Sequence, residues 1–121
     1  MEFVGNTDKQ DSLVPDLPVA QRKRVELARA IAMRPKLLLL DEVMAGLTST
    51  ETEHLMCTVR AIREAGFSII MIEHVMKAIM GLSDRVVVLE SGRKIAVGKP
   101  GEVASDPRVI ECYLGKDDGR R

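Results

Sequence analysis

The chain has 121 residues, of which 45% are hydrophobic and 30% charged, the make-up of one soluble domain rather than of a disordered segment or a membrane protein. Lys+Arg and Asp+Glu each number 18, so the overall balance favours neither nucleic acid nor an anionic lipid surface. The start MEFVGNTDKQDS has no basic or apolar leader pattern, and the longest apolar run is far below the ~18 residues of a spanning helix.

Residues 1–20 show weak periodicity around Pro15 and Pro18 and read as the tail of another subdomain; 21–121 read as one organisational unit. From 21 to 33 the sequence QRKRVELARAIAM places Val25, Ala28, Ile31 and Ala32 on one helical face, and Pro35 stops the helix. The run LLLLDE at 37–42 reads as a buried parallel strand, apolar on both faces. It ends in two carboxylates, Asp41 and Glu42, where ligands of open α/β sheets bind. Residues 43–47 form a loop. Thr48 and Glu51 match a capping box, opening a second helix that carries Leu55, Val59 and Ile62 towards Gly66.

The segment FSIIMIEH at 67–74 repeats the theme, a β-branched strand with Glu73 and His74 at its end. A short helix over 75–82 leads to a hairpin, 85–89 and 93–97, around Glu90-Ser91-Gly92. Gly98, Pro100 and Gly101 break the chain before a helical tail at 107–114, and GKDDGRR reads as frayed. The alternation predicts an α/β fold, a mostly parallel sheet with flanking helices, a C-terminal β-hairpin and short helices.

Cys57 and Cys112 lack any C-x-x-C spacing, which argues for a reducing compartment and against a zinc or disulfide framework. With Phe3, Phe67 and Tyr113 as the aromatics, base-stacking platforms are not expected. By residue type alone, Asp41-Glu42 is either a Mg²⁺ and phosphate site, because hard carboxylate oxygens suit that ion, or an acidic pair solvating a strand end. Arg22, Lys23 and Arg24 are either a phosphate patch or, as preferred here, the solvated, salt-bridged face of their helix. His54 reads as ordinary surface.

The order of these segments adds a resemblance. LPVAQRKRVELARAIAMRPKLLLLDE resembles the stretch from the signature motif to the Walker B strand of ATP-binding cassette (ABC) ATPases, AGLTSTE at 45–51 resembles their D-loop, and IEH at 72–74 their switch histidine. Further segments, VMAGL, 73–100 and DPRVIECYLG at 106–115, look like cassettes of branched-chain amino acid uptake systems. The likeness spans roughly residues 2–117 and implies a partial P-loop NTPase fold. By resemblance Asp41 would hold Mg²⁺, Glu42 would polarise the attacking water and His74 would contact the γ-phosphate.

Leu17, Pro18, Val19, Ala20 and Gln21 occupy the signature position, which would meet ATP of a partner subunit. They depart from the usual serine and glycines, and Ala20 adds a Cβ where backbone should approach phosphate. Gly46, Leu47 and Thr48 occupy the D-loop, Thr48 standing where Asp or Asn is common. The resemblance implies ATP and Mg²⁺ as cofactors, a second ATP-binding subunit and membrane permease subunits as partners, no nucleic acid, and a cytoplasmic place on the inner face of the cell membrane.

The family's Gly-rich loop, G-x-x-x-x-G-K-[ST], is not found. Gly92 to Gly98-Lys99 has one residue too many between its glycines and is followed by Pro100. The chain therefore looks like the C-terminal half of a cassette, and the isolated polypeptide is expected to be inactive until the nucleotide-binding half is supplied. The alternatives are an interaction or dimerisation module that binds no nucleotide, a cassette for another small solute such as urea, and a receiver-like domain with an acidic Mg²⁺ pocket.

Overall fold

The computed structural model describes residues 17–114; the expectations for 1–16 and for the polar end 115–121 lie outside the described residues. The chain divides into two units, residues 1–78 and 79–121.

In the first unit, helix α1 (Val19–Ala32) is followed by strand β1 (Leu37–Asp41), helix α2 (Ser49–Glu64) and strand β2 (Ser68–Ile72). α1 opens two residues before the stripe that announces it, with Pro18 as its N-cap, a place where proline's missing N–H costs nothing. It ends at Met33, after which Arg34 turns left-handed at φ 52 and Pro35 forbids another turn. α2 has the expected box: the Glu51 N–H donates to Thr48 Oγ1 at 3.1 Å and the Thr48 N–H to Glu51 Oε1 at 2.9 Å.

β1 and β2 pair in parallel, from Leu37 opposite Ser68 to Asp41 opposite Ile72, as a βαβ crossover through α2 requires. α1 packs against α2. Val25, Leu27, Leu38, Leu40, Met44, Leu55, Met56, Val59 and Ile62 are buried, each side chain contributing ~1.5–3 kcal/mol of transfer free energy.

The strand LLLL is not buried on both faces. Leu38 and Leu40 are each 5% exposed, but Leu37 is 47% and Leu39 68% exposed, beside Ile70 and Ile72 at 52% and 60%. Only alternate side chains point towards the helices, because successive residues of a strand face opposite ways, and no described element covers the other face. Among the described residues, Leu37, Leu39, Ile70 and Ile72 thus form an uncovered apolar sheet surface.

Helix α3 (Met76–Leu82) runs across the boundary between the units. In the second unit, β3 (Val86–Glu90) and β4 (Arg93–Gly98) form the expected antiparallel hairpin, irregular between Val88 and Leu89. Ser91 and Gly92 turn it with φ 51 and 79, the left-handed pair that fits the twist of a two-residue turn. The expected break at 98–101 is instead a helix, α4 (Pro100–Ala104), with Lys99 as N-cap and Pro100 in its first turn. Proline there is preorganised for helix, which outweighs its reading as a breaker. α5 (Pro107–Val109) and a π-helical turn (Ile110–Leu114) follow. Ala96, Val103 and Val109 form this unit's core, with Val86 and Val88 against it, and Tyr113 donates its hydroxyl to the Leu89 carbonyl. No described helix is long and apolar enough to cross a membrane.

Candidate functional site

The parallel register brings the ends of β1 and β2 side by side. Asp41 pairs with Ile72, and the Glu42 N–H donates to the Ile72 carbonyl at 2.8 Å, extending the ladder by one bond. Glu42 then turns left-handed, φ 52, a conformation that costs a residue with a Cβ about 1–2 kcal/mol. Two residues beyond Ile72, His74 reaches back, and its Nε2 lies 2.9 Å from Glu42 Oε1. Both side chains are more than half exposed, so the pair adds little stability. Its value is placement: a carboxylate and an imidazole stand together at the solvent end of a sheet, where a water could be oriented and a proton held.

Asp41 is exposed, and no described residue engages its carboxylate. It therefore has free oxygens for a cation. No group of three or more His, Cys, Asp or Glu residues that could hold a metal ion is found among the described residues.

The turn after Glu42 is held from two further directions. Lys23, on α1, donates from Nζ to the Val43 carbonyl at 2.6 Å and to the Ala45 carbonyl at 2.7 Å. Glu73 accepts from the Met44 N–H at 3.2 Å, and Met44 is 2% exposed. The expectation of a merely solvated basic face thus fails for Lys23, because burying Met44 turns two carbonyls towards the helix. Neither contact is legible in sequence: residues 20 to 29 positions apart meet only once the βαβ unit has folded.

Gly46 follows at φ 79, the left-handed value that favours glycine; Leu47 is half-buried, and Thr48 caps α2. At the signature position Leu17 is 7% and Ala20 9% exposed, whereas Pro18 and Val19 are exposed. The Ala20 methyl therefore lies in the core and does not crowd the exposed start of α1. No side chain caps that start, and Gln21 Oε1 and Arg22 Nε are buried without partners among the described residues. Gly92 sits in the hairpin turn, Gly98 at the end of β4 and Lys99 before α4, which is no phosphate cradle. His54 is exposed.

Comparisons with known proteins give the family of the chain. The family model for ABC transporter matches residues 1–45, and that for the branched-chain amino acid ATP-binding cassette transporter matches residues 93–119. The chain belongs to the ATP-binding cassette family. It is 37% identical over 117 residues to the high-affinity branched-chain amino acid transport ATP-binding protein BraF of Pseudomonas aeruginosa. It is 35% identical to LivG of Escherichia coli, the same kind of protein; each match covers 96% of this chain and 46% of the relative. Among solved structures, the ADP conformation of MJ1267, an ATP-binding cassette of an ABC transporter, has a TM-score of 0.84 at 30% identity. That match covers 94% of this chain and 46% of the other. The chain spans about half the length of the relatives it matches.

Proposed function

We propose that the chain is the hydrolytic half of an ATP-binding subunit serving an importer of branched-chain amino acids. The observation that carries this reading is the Glu42–His74 contact at adjoining ends of parallel strands, 2.9 Å long. The branched-chain level is supported by the kind of relatives matched and by the match at 93–119. Residues 1–20 are taken as the end of the helical signature subdomain and 21–121 as the C-terminal part of the nucleotide-binding domain.

In the mechanism Glu42 orients and polarises the attacking water, held in place by the backbone bond to Ile72. His74 holds the far side of that carboxylate and stands ready for the γ-phosphate. Asp41 would hold Mg²⁺, which when bound with phosphates neutralises charge developing on them. The uncapped start of α1, at Leu17 to Gln21, faces nucleotide of a second ATP-binding subunit, and Gly46, Leu47 and Thr48 line the same interface. The working assembly includes permease subunits and lies on the cytoplasmic face of a membrane. A second reading, an interaction module that binds no nucleotide alone, is favoured by the uncovered face of Leu37, Leu39, Ile70 and Ile72.

The test is phosphate release from ATP and Mg²⁺ after co-expression with the complementary half of a BraF-like subunit. Turnover is expected in the mixture and not from residues 1–121 alone. Glu42→Gln is expected to keep ATP binding and lose hydrolysis; equal turnover by Glu42→Gln removes Glu42 from its role.

A further inference from the structure

We propose that Lys23 and Glu73 are positioning residues that clamp the turn carrying Glu42, coupling helix α1 to the hydrolytic carboxylate. The clamp rests on the reading of Glu42 given above. Its two jaws have opposite polarity. The Lys23 ammonium takes two successive outward carbonyls, Val43 and Ala45, at 2.6 and 2.7 Å, distances typical of charge-assisted bonds. The Glu73 carboxylate takes the amide between them, that of Met44, with Oε2, and its Oε1 accepts from the His74 N–H at 3.2 Å.

One side chain thus ties the turn after β1 to the backbone of the residue that meets Glu42. The turn needs such holding because Glu42 is left-handed without being glycine, a state that persists only where its surroundings over-determine it. With the turn free, relaxation of φ at Glu42 would swing its carboxylate away from His74. Because Lys23 lies on the first turns of α1, a displacement of that helix is passed to Glu42 through two hydrogen bonds. The signature helix is in this way a mechanical input to the hydrolytic residue of its own chain.

The experiment is amide hydrogen exchange by NMR on the full 121-residue chain. Lys23→Met keeps the aliphatic stem and removes the donors; it is expected to speed exchange at Met44 and Glu42 by about tenfold or more, with the amides of Leu39 and Leu40 unchanged. Lys23→Arg, which restores two donors, is expected to recover most of the protection, a rescue that packing of the stem alone would not give. Glu73→Ala is expected to free Met44 to a similar extent. Unchanged exchange at Met44 and Glu42 in Lys23→Met overturns the proposal.

Should that variant fail to fold, the unsubstituted chain decides. Its Lys23 ammonium is expected to exchange slowly and to show couplings across hydrogen bonds to the Val43 and Ala45 carbonyl carbons; exchange as fast as that of other lysines overturns the clamp. Nucleotide takes no part in these measurements. A failed clamp therefore leaves the hydrolytic reading standing, and absent phosphate release leaves the clamp standing.

Discussion

Glu42 and His74 are 32 positions apart in sequence and 2.9 Å apart in space, because β1 and β2 run parallel and in register to their last residues. Each lies just beyond its strand, so one ladder places both. A slip of one residue would turn every side chain of the slipped strand to the other face of the sheet and separate the pair.

Glu42→Gly is expected to raise stability by about 1 kcal/mol, since glycine adopts φ 52 without a Cβ penalty. The exposed ion pair it removes returns little of that. Urea denaturation checks this, and a loss of more than 1 kcal/mol would show that the His74 contact outweighs the strain. With stability raised as expected, stability and the proposed activity move in opposite directions in this variant.

Leu39 and Leu40 are neighbours with opposite surroundings, 68% and 5% exposed. Leu40→Ala is expected to cost about 2–5 kcal/mol through lost transfer and a residual cavity. Leu39→Gln is expected to stay within about 0.5 kcal/mol and to reduce binding of a hydrophobic dye. Equal destabilisation by both would mean that the outer face is covered in solution.

Thr48→Ala removes the oxygen that accepts from the Glu51 N–H and is expected to cost about 1 kcal/mol. Thr48→Asp should keep the parent stability. Thermal melts of the three chains separate the cap from any other effect of the substitution.

The Arg108 guanidinium holds the Asp106 carboxyl below its ordinary value, helped by the Arg108 backbone N–H. Asp106 also caps α5. A depressed acid contributes its full stabilisation above the unfolded-state value, about 3.9, and loses it as pH falls through the folded value. Lys77 acts likewise on Glu53. Acid titration followed by NMR should therefore show both carboxyls protonating later than exposed acids without partners, and Asp106→Asn should remove the acid-dependent fraying of α5.

Much of the architecture was legible. Periodicity found α1 and α2, the capping box located the start of α2 at Thr48, and the Glu90-Ser91-Gly92 turn located the hairpin. The missed helix α4 shows the limit of reading Pro100 as a breaker: proline also starts helices, and the choice depends on whether the following residues pack. Val103 does, against Ala96 and Val109.

At the candidate site, residue identity and order were enough to single out Asp41, Glu42 and His74, because acids and an imidazole at the ends of apolar strands are a local signal. Three things were settled by tertiary structure alone: that Glu42 meets His74, that Lys23 and Glu73 grip the intervening turn, and that Ala20 turns its methyl inward. The first two depend on contacts between residues 20 or more positions apart and the third on which side of α1 is buried; a linear pattern carries the period of a helix or strand but not the register between them.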